Sequence, residues 1–147
     1  AIDGVAAIDV FNSKDEFYQK VEPKLAEIAK ETDCKIELHD LADEQQIANS
    51  LADSCLLINA TSIGMAPNTD RIPLPDSKLL RKDLAVFDVI YHPGETQLLR
   101  EAKKVGAKAV NGLGMLLYQG AAAFELWTGK KMPTELIQPL LEKEIKK

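Results

Sequence analysis

Residues 84–110, LAVFDVIYHPGETQLLREAKKVGAKAV, decide the fold. Leu84 to Tyr91 (LAVFDVIY) is a short apolar run rich in β-branched and aromatic residues, the pattern of a strand buried on both faces. Glu95 to Val105 (ETQLLREAKKV) is a helix, and Gly106 stands where a helix ends. Lys108 to Val110 opens another strand. Strand, helix and strand in that order form a crossover unit whose two strands run parallel.

The same alternation extends in both directions. Upstream, Val5 to Phe11 reads as a buried strand and Asp15 to Thr32 as a helix, with Pro23 expected to bend it or mark a late start. Lys35 to Leu41 alternates apolar and polar residues, as a half-exposed strand does. Asp43 to Ala52 is a helix with Asp43 as its N-cap, and SCLLINA, Ser54 to Ala60, is a buried parallel strand. GMAPNTDRIPLPDS (64–77) holds three prolines and is the longest irregular stretch, a length that marks a functional or mobile loop. Downstream, NGLGMLLYQGAAAFELWTG (111–129) is an apolar helix ended by Gly129. Pro133 begins a last helix, expected to kink at Pro139, and the tail EKEIKK is a solvated helix end. The expected fold is α/β, a doubly wound parallel sheet with helices on both faces.

Composition narrows the function. The chain has 147 residues, 46% hydrophobic and 28% charged, with a net charge of −5. That is one domain with a real core. An acidic surface speaks against nucleic acid or an anionic membrane as the main partner, and no apolar run reaches the ~20 residues of a membrane-spanning helix. Cys34 and Cys55 form neither a CxxC pair nor a disulfide framework, so a reducing cytoplasm is the expected location. His39 and His92 lack metal-site spacing. There is no GxSxG elbow and no P-loop. The chain starts abruptly at AIDGVAAIDVFN, without Met, and is expected to be a trimmed piece of a longer protein.

In open parallel sheets, ligands bind beyond the carboxyl ends of the strands. The informative residues are therefore those just after each strand. FNSKD (11–15) clusters Asn12, Ser13, Lys14 and Asp15 where dinucleotide-binding domains contact the adenosine ribose; Asp15 can equally cap the next helix. NATSIGM (59–65) offers Asn59, Thr61 and Ser62 beside Gly64, fit for a ligand or for a self-satisfied turn. NGLGM (111–115) begins like a phosphate loop, but it follows the last strand and has Leu117 at the third glycine position. A tight turn that exposes a carbonyl is the better reading. Gln119 is an amide inside an otherwise apolar helix. It both donates and accepts hydrogen bonds, which suits ring hydroxyls without the desolvation cost of a charge.

Three strings together are specific: NATS-x-GM, D-x-x-Y-x-P, and GLGML-x-x-Q-x-A-x-x-F-x-x-W-x-G. In them the chain resembles, over essentially its whole length, the C-terminal Rossmann-like NAD(P)-binding domain of the shikimate dehydrogenases. The resemblance implies reversible reduction of 3-dehydroshikimate to shikimate with NADP, or oxidation of quinate or shikimate with NAD. It implies that Asn12, Ser13, Lys14 and Asp15 hold the adenosine ribose end, and that Thr61 and Ser62 lie against the dinucleotide. Val89, Ile90 and Tyr91 would approach the nicotinamide; the Gly112 carbonyl would accept from its carboxamide, with Met115 packed nearby. Tyr91 and Gln119 would reach the substrate.

Departures from the family pattern matter as much. NADP-preferring relatives carry Asn-Arg-Thr where this chain has Asn12-Ser13-Lys14-Asp15, so the guanidinium for a 2′-phosphate is missing, Asp15 would repel that phosphate, and NAD is expected to be accepted. The Gly-rich loop, the first strand, and the N-terminal substrate domain with its catalytic Lys/Asp pair lie outside residues 1–147. No catalytic residue is therefore expected in this chain, nor dehydrogenase activity from it alone. Without a central first strand, its two neighbours would either close up or pair with another chain. The expected partner is the small-molecule substrate, with a homodimer allowed. A non-catalytic dinucleotide-binding module is the competing reading.

Overall fold

The computed structural model describes residues 1–145, so the last two residues of the Lys-rich tail lie outside it. The chain divides into two compact units, Ala1–Asp53 and Ser54 onward. The first contains β1 (Ala7–Asn12), α1 (Tyr18–Glu31), β2 (Lys35–Asp40) and α2 (Glu44–Asp53). Its strands pair in parallel, from Ala7 opposite Lys35 to Asn12 opposite Asp40. The second contains β3 (Leu56–Asn59), a 3-10 turn (Ser77–Leu79), β4 (Ala85–Asp88), α3 (Gln97–Lys104), β5 (Lys108–Asn111), α4 (Leu113–Thr128) and α5 (Thr134–Glu144). Here the order is β3-β4-β5, again parallel. Alternating strands and helices with wholly parallel pairing give the α/β class read from the sequence.

Local signals account for the elements. The Asp43 carboxylate accepts from the Gln46 amide at 2.9 Å, capping α2 as expected. Gly129 ends α4 at φ +68°, a left-handed conformation that glycine adopts without penalty. Helix α1 continues through Pro23 and α5 through Pro139; each ring removes one amide donor yet leaves the helix whole. The core of the second unit forms where α3 packs on β4 and β5. There Leu84, Val86, Leu98, Leu99 and Ala102 are almost wholly buried. Buried Leu74 anchors the proline-rich loop.

Two strands are less buried than their composition predicts. No residue of β1 is fully buried, because β2 is its one neighbour in a two-stranded sheet. In β3, Leu56 and Ile58 are 48% and 53% exposed. That strand is an edge, and the register sets Ile58 beside Phe87 and Val110 on a face where Val110 is also about half exposed. Among the described residues β1 and β3 belong to separate sheets, so they do not close up by pairing. No helix among these residues is long and apolar enough to cross a membrane.

Candidate functional site

The carboxyl ends of β3 and β4 and the start of α3 are tied together by one buried acid. Asp88, the last residue of β4, is 0% exposed. Its Oδ1 accepts from Asn59 Nδ2 at 3.0 Å and from the Ile90 amide at 3.1 Å, and its Oδ2 from the Thr96 hydroxyl at 2.6 Å. A buried polar group survives only when its partners are met, and hydrogen bonds to a charged group are worth roughly 1.5–3 kcal/mol each. The network extends outward. Asn59 Oδ1 accepts from both the amide and the hydroxyl of Thr61, at 3.0 and 2.7 Å, and Thr61 Oγ1 accepts from the Ile63 amide. The NATS segment is therefore a fixed turn built on Asn59, with Thr61 half-buried inside it and Ser62 exposed.

The tip of β4 is fixed on its other side by Gly112. The Val89 amide donates to Asn59 O at 3.0 Å, and the Gly112 amide donates to Ile90 O at 3.1 Å. A Cβ on Gly112 would lie 1.9 Å from the Val89 carbonyl oxygen. Gly112 has φ −76°, so it is required for close approach of two backbones and not for a left-handed turn. The tight turn read from the sequence is present at Gly112, between β5 and α4, and close backbone approach is the reason it needs glycine. Its carbonyl accepts from the Leu116 amide in the first turn of α4, leaving one lone pair for a further donor.

Tyr91 follows this tip and is 41% exposed; Met115 is 44% exposed on the first turn of α4. Gln119 is exposed on α4, and no hydrogen bond links it to Tyr91 among the described residues. Thr61, Val89, Ile90 and Gly112 are thus drawn together by direct hydrogen bonds or contacts, while Ser62, Tyr91, Met115 and Gln119 are presented to solvent around them.

In the first unit, an open groove of about 390 Å³ is lined by Ser13, Lys14, Asp40, Leu41 and Ala42. Asn12 Oδ1 accepts from the Ser13 amide, and Asn12 O from the Leu41 amide, joining the loops after β1 and β2. Asp15 Oδ1 accepts from the Phe17 and Tyr18 amides at 2.9 and 3.3 Å in the turn that leads into α1, whose N-cap position is Phe17 and carries no side-chain cap. Asp40 escaped the sequence reading. Its neighbourhood with Lys14, at 3.5 Å, follows from the β1–β2 register, which no local motif announces. Asp88 and Thr96 were missed too, although an acid two residues beyond buried Val86 shares its inward face.

Strand pairing also sets Asp9 opposite Glu37. His39 Nε2 lies 3.6 Å from Asp9 and 3.8 Å from Glu37, so three ligand-bearing atoms fall within 4.8 Å of one another despite the absence of any metal-site spacing in the sequence. Lys35 pairs with the same Glu37 at 2.9 Å.

Comparison with known proteins shows what the chain resembles. The family model described as Shikimate 5'-dehydrogenase C-terminal domain matches residues 112–142. The chain is 45% identical over 141 residues to the Shikimate dehydrogenase (NADP(+)) of Listeria monocytogenes serotype 4b, covering 96% of this chain and 48% of that protein. The Streptococcus uberis enzyme of the same name is 46% identical, covering 95% of this chain and 48% of its own length. The crystal structure of shikimate 5-dehydrogenase from Listeria monocytogenes in complex with shikimate and NAD matches with a TM-score of 0.90 at 45% identity, covering 96% of this chain and 49% of that one. Quinate dehydrogenase from Corynebacterium glutamicum in complex with NAD gives 0.78 at 26%, over 94% and 46%. The chain spans about half the length of the relatives it matches. Over nearly its whole length it is similar to one half of the shikimate dehydrogenases.

Proposed function

We propose that this chain is the cofactor-side half of an NAD(P)-dependent shikimate dehydrogenase, whose Gly-rich loop, first strand and substrate domain are supplied by the rest of a longer polypeptide. The observation that carries the proposal is the hydrogen-bonded junction of Asn59, Asp88, Ile90 and Gly112 at the carboxyl ends of three parallel strands, the place where such sheets bind ligands. The half-exposed apolar residues Ile58 and Val110 support it, since a face left bare here is one that further chain would cover.

The residues present fit a dinucleotide. The groove beside Ser13 and Lys14 offers a hydroxyl, an ammonium and a carboxylate, the groups that hold ribose hydroxyls. Thr61 and Ser62 would line the dinucleotide, and Val89, Ile90 and Tyr91 would face the nicotinamide. The free lone pair of Gly112 O would accept from the carboxamide, and Met115 would pack beside it. When bound, the nicotinamide supplies the hydride exchanged with the ring carbon of the substrate. Tyr91 and Gln119 would grip the ring hydroxyls and hold that carbon in place. The chain's contribution is orientation, which is worth many orders of magnitude in rate when the geometry is rigid, and the Asp88 network is what makes this tip rigid. Proton transfer is assigned to the Lys/Asp pair outside residues 1–147.

The reading is tested with the complete gene product, following reduced nicotinamide by its near-ultraviolet absorbance with NAD or NADP. Turnover with shikimate is expected, and none from the 147-residue chain alone. Failure to oxidise either shikimate or quinate in the complete protein would overturn the proposal.

A further inference from the structure

We propose that Asp40 sets the coenzyme preference of this chain, biasing the groove beside Lys14 toward a ribose with a free 2′-hydroxyl and against a 2′-phosphate. The inference rests on the cofactor reading above and goes beyond it by naming the discriminating residue.

Asp40 ends β2, opposite Asn12 in the parallel register. Its two oxygens have separate partners. Oδ1 accepts from the Ala42 amide at 2.9 Å, which fixes the carboxylate in the turn. Oδ2 faces Lys14 Nζ at 3.5 Å. The Asp40 side chain is 25% exposed and that of Lys14 64%, so the acid is the anchored member and the lysine the mobile one.

Lys14 is the cation lining this groove. Paired with Asp40, it contributes almost no net field. A 2′-phosphate, with roughly two negative charges near neutral pH, would have to compete with Asp40 for Lys14 while sitting beside an immovable carboxylate. A ribose hydroxyl meets the opposite situation, because Asp40 is an acceptor already positioned for it. Asp15 is less suited to the role, since it does not line this groove and its Oδ1 is held by two amides at the start of α1. The discriminating acid therefore comes from the strand beside the ribose loop, not from the loop itself.

Isothermal titration of the complete gene product with NAD and with NADP tests this, using the parent sequence, Asp40→Asn, and Asp40→Asn combined with Lys14→Met. Asparagine keeps an oxygen for the Ala42 amide, and an unchanged thermal midpoint verifies that the turn survives. In Asp40→Asn the affinity for NADP relative to NAD is expected to rise on the order of fivefold at low salt. The gain should shrink as salt is added and vanish in the double variant. An unchanged ratio in Asp40→Asn, or a gain that persists without Lys14, overturns the assignment of Asp40. If neither nucleotide binds any of the three proteins, the cofactor reading itself fails and takes this inference with it.

Discussion

The Gly112 Cα and the Val89 carbonyl are so close that a methyl group added at Gly112 would sit 1.9 Å from the Val89 oxygen and 2.5 Å from its carbon. The contact is backbone against backbone, so no side chain can rotate away. Two candidate nicotinamide-facing residues, from different strand ends, hold each other in position.

Gly112→Ala is expected to destabilise the chain by about 3 kcal/mol, at the upper end of overpacking costs, since relief requires moving the β4 tip or the start of α4. Chemical denaturation of both proteins measures it. A loss below about 0.5 kcal/mol, the range of an ordinary surface substitution, would show that the two segments separate easily.

Asp88→Ala strips the acceptor from Asn59, Thr96 and the Ile90 amide at once. Each buried donor left unpaired costs about 1–3 kcal/mol, so a total near 3 kcal/mol is expected after partial relaxation. Asp88→Asn keeps one oxygen acceptor in place, and its amide can donate to the Thr96 hydroxyl; about 1 kcal/mol is expected for losing the charge-assisted bonds. Equal losses in the two variants would contradict this, showing that the shape and single oxygen kept by Asp88→Asn contribute nothing and that the carboxylate charge carries the network. Amide exchange at Thr61, Ile63 and Ile90 should accelerate in the alanine variant.

The hydrogen bond from Lys103 holds the Glu95 carboxyl below the ordinary glutamate range; burial opposes it, and the Coulombic attraction of Lys103 and then Arg100 adds to the lowering. A depressed folded-state value contributes stability above the unfolded value, and that stability is lost as pH falls through the folded one. Glu95 and Lys103 are 44% and 57% exposed, so solvent screening limits the effect to about 0.5 kcal/mol or less. An NMR titration of the Glu95 carboxyl carbon should give a low midpoint that moves upward in Lys103→Met. A midpoint unmoved by that substitution would contradict the pairing.

The crossover unit around β4, α3 and β5 was legible because each signal is local: an apolar run, a helical stretch, and Gly106 at φ +81° just past the helix. Thr96 caps that helix one residue beyond where the sequence placed its start. The exposure of β1 and β3 was not legible, since apolar composition says what a strand could bury and nothing about which elements cover it. The same holds for the site. The motifs marked strand ends, yet the two residues that organise those ends are set by register: Asp88 beside Asn59, and Asp40 opposite Asn12. A charged residue inside VFDV is ambiguous until its neighbours across the sheet are known. Asp15 had two compatible roles in the sequence; the structure shows it bonding the amides of the turn before α1, with Phe17 at the N-cap position itself.

The central claim is that α4 and the β4 tip present a substrate-binding pair beside the coenzyme. Steady-state kinetics of the complete gene product with Gln119→Leu, varying shikimate at saturating coenzyme, tests it most directly. Removing one or two ring-hydroxyl hydrogen bonds should raise the KM for shikimate by about tenfold, with the KM for NAD or NADP within about twofold of the parent, since uniform substrate binding alone is lost. A shikimate KM equal to that of the parent would contradict the account.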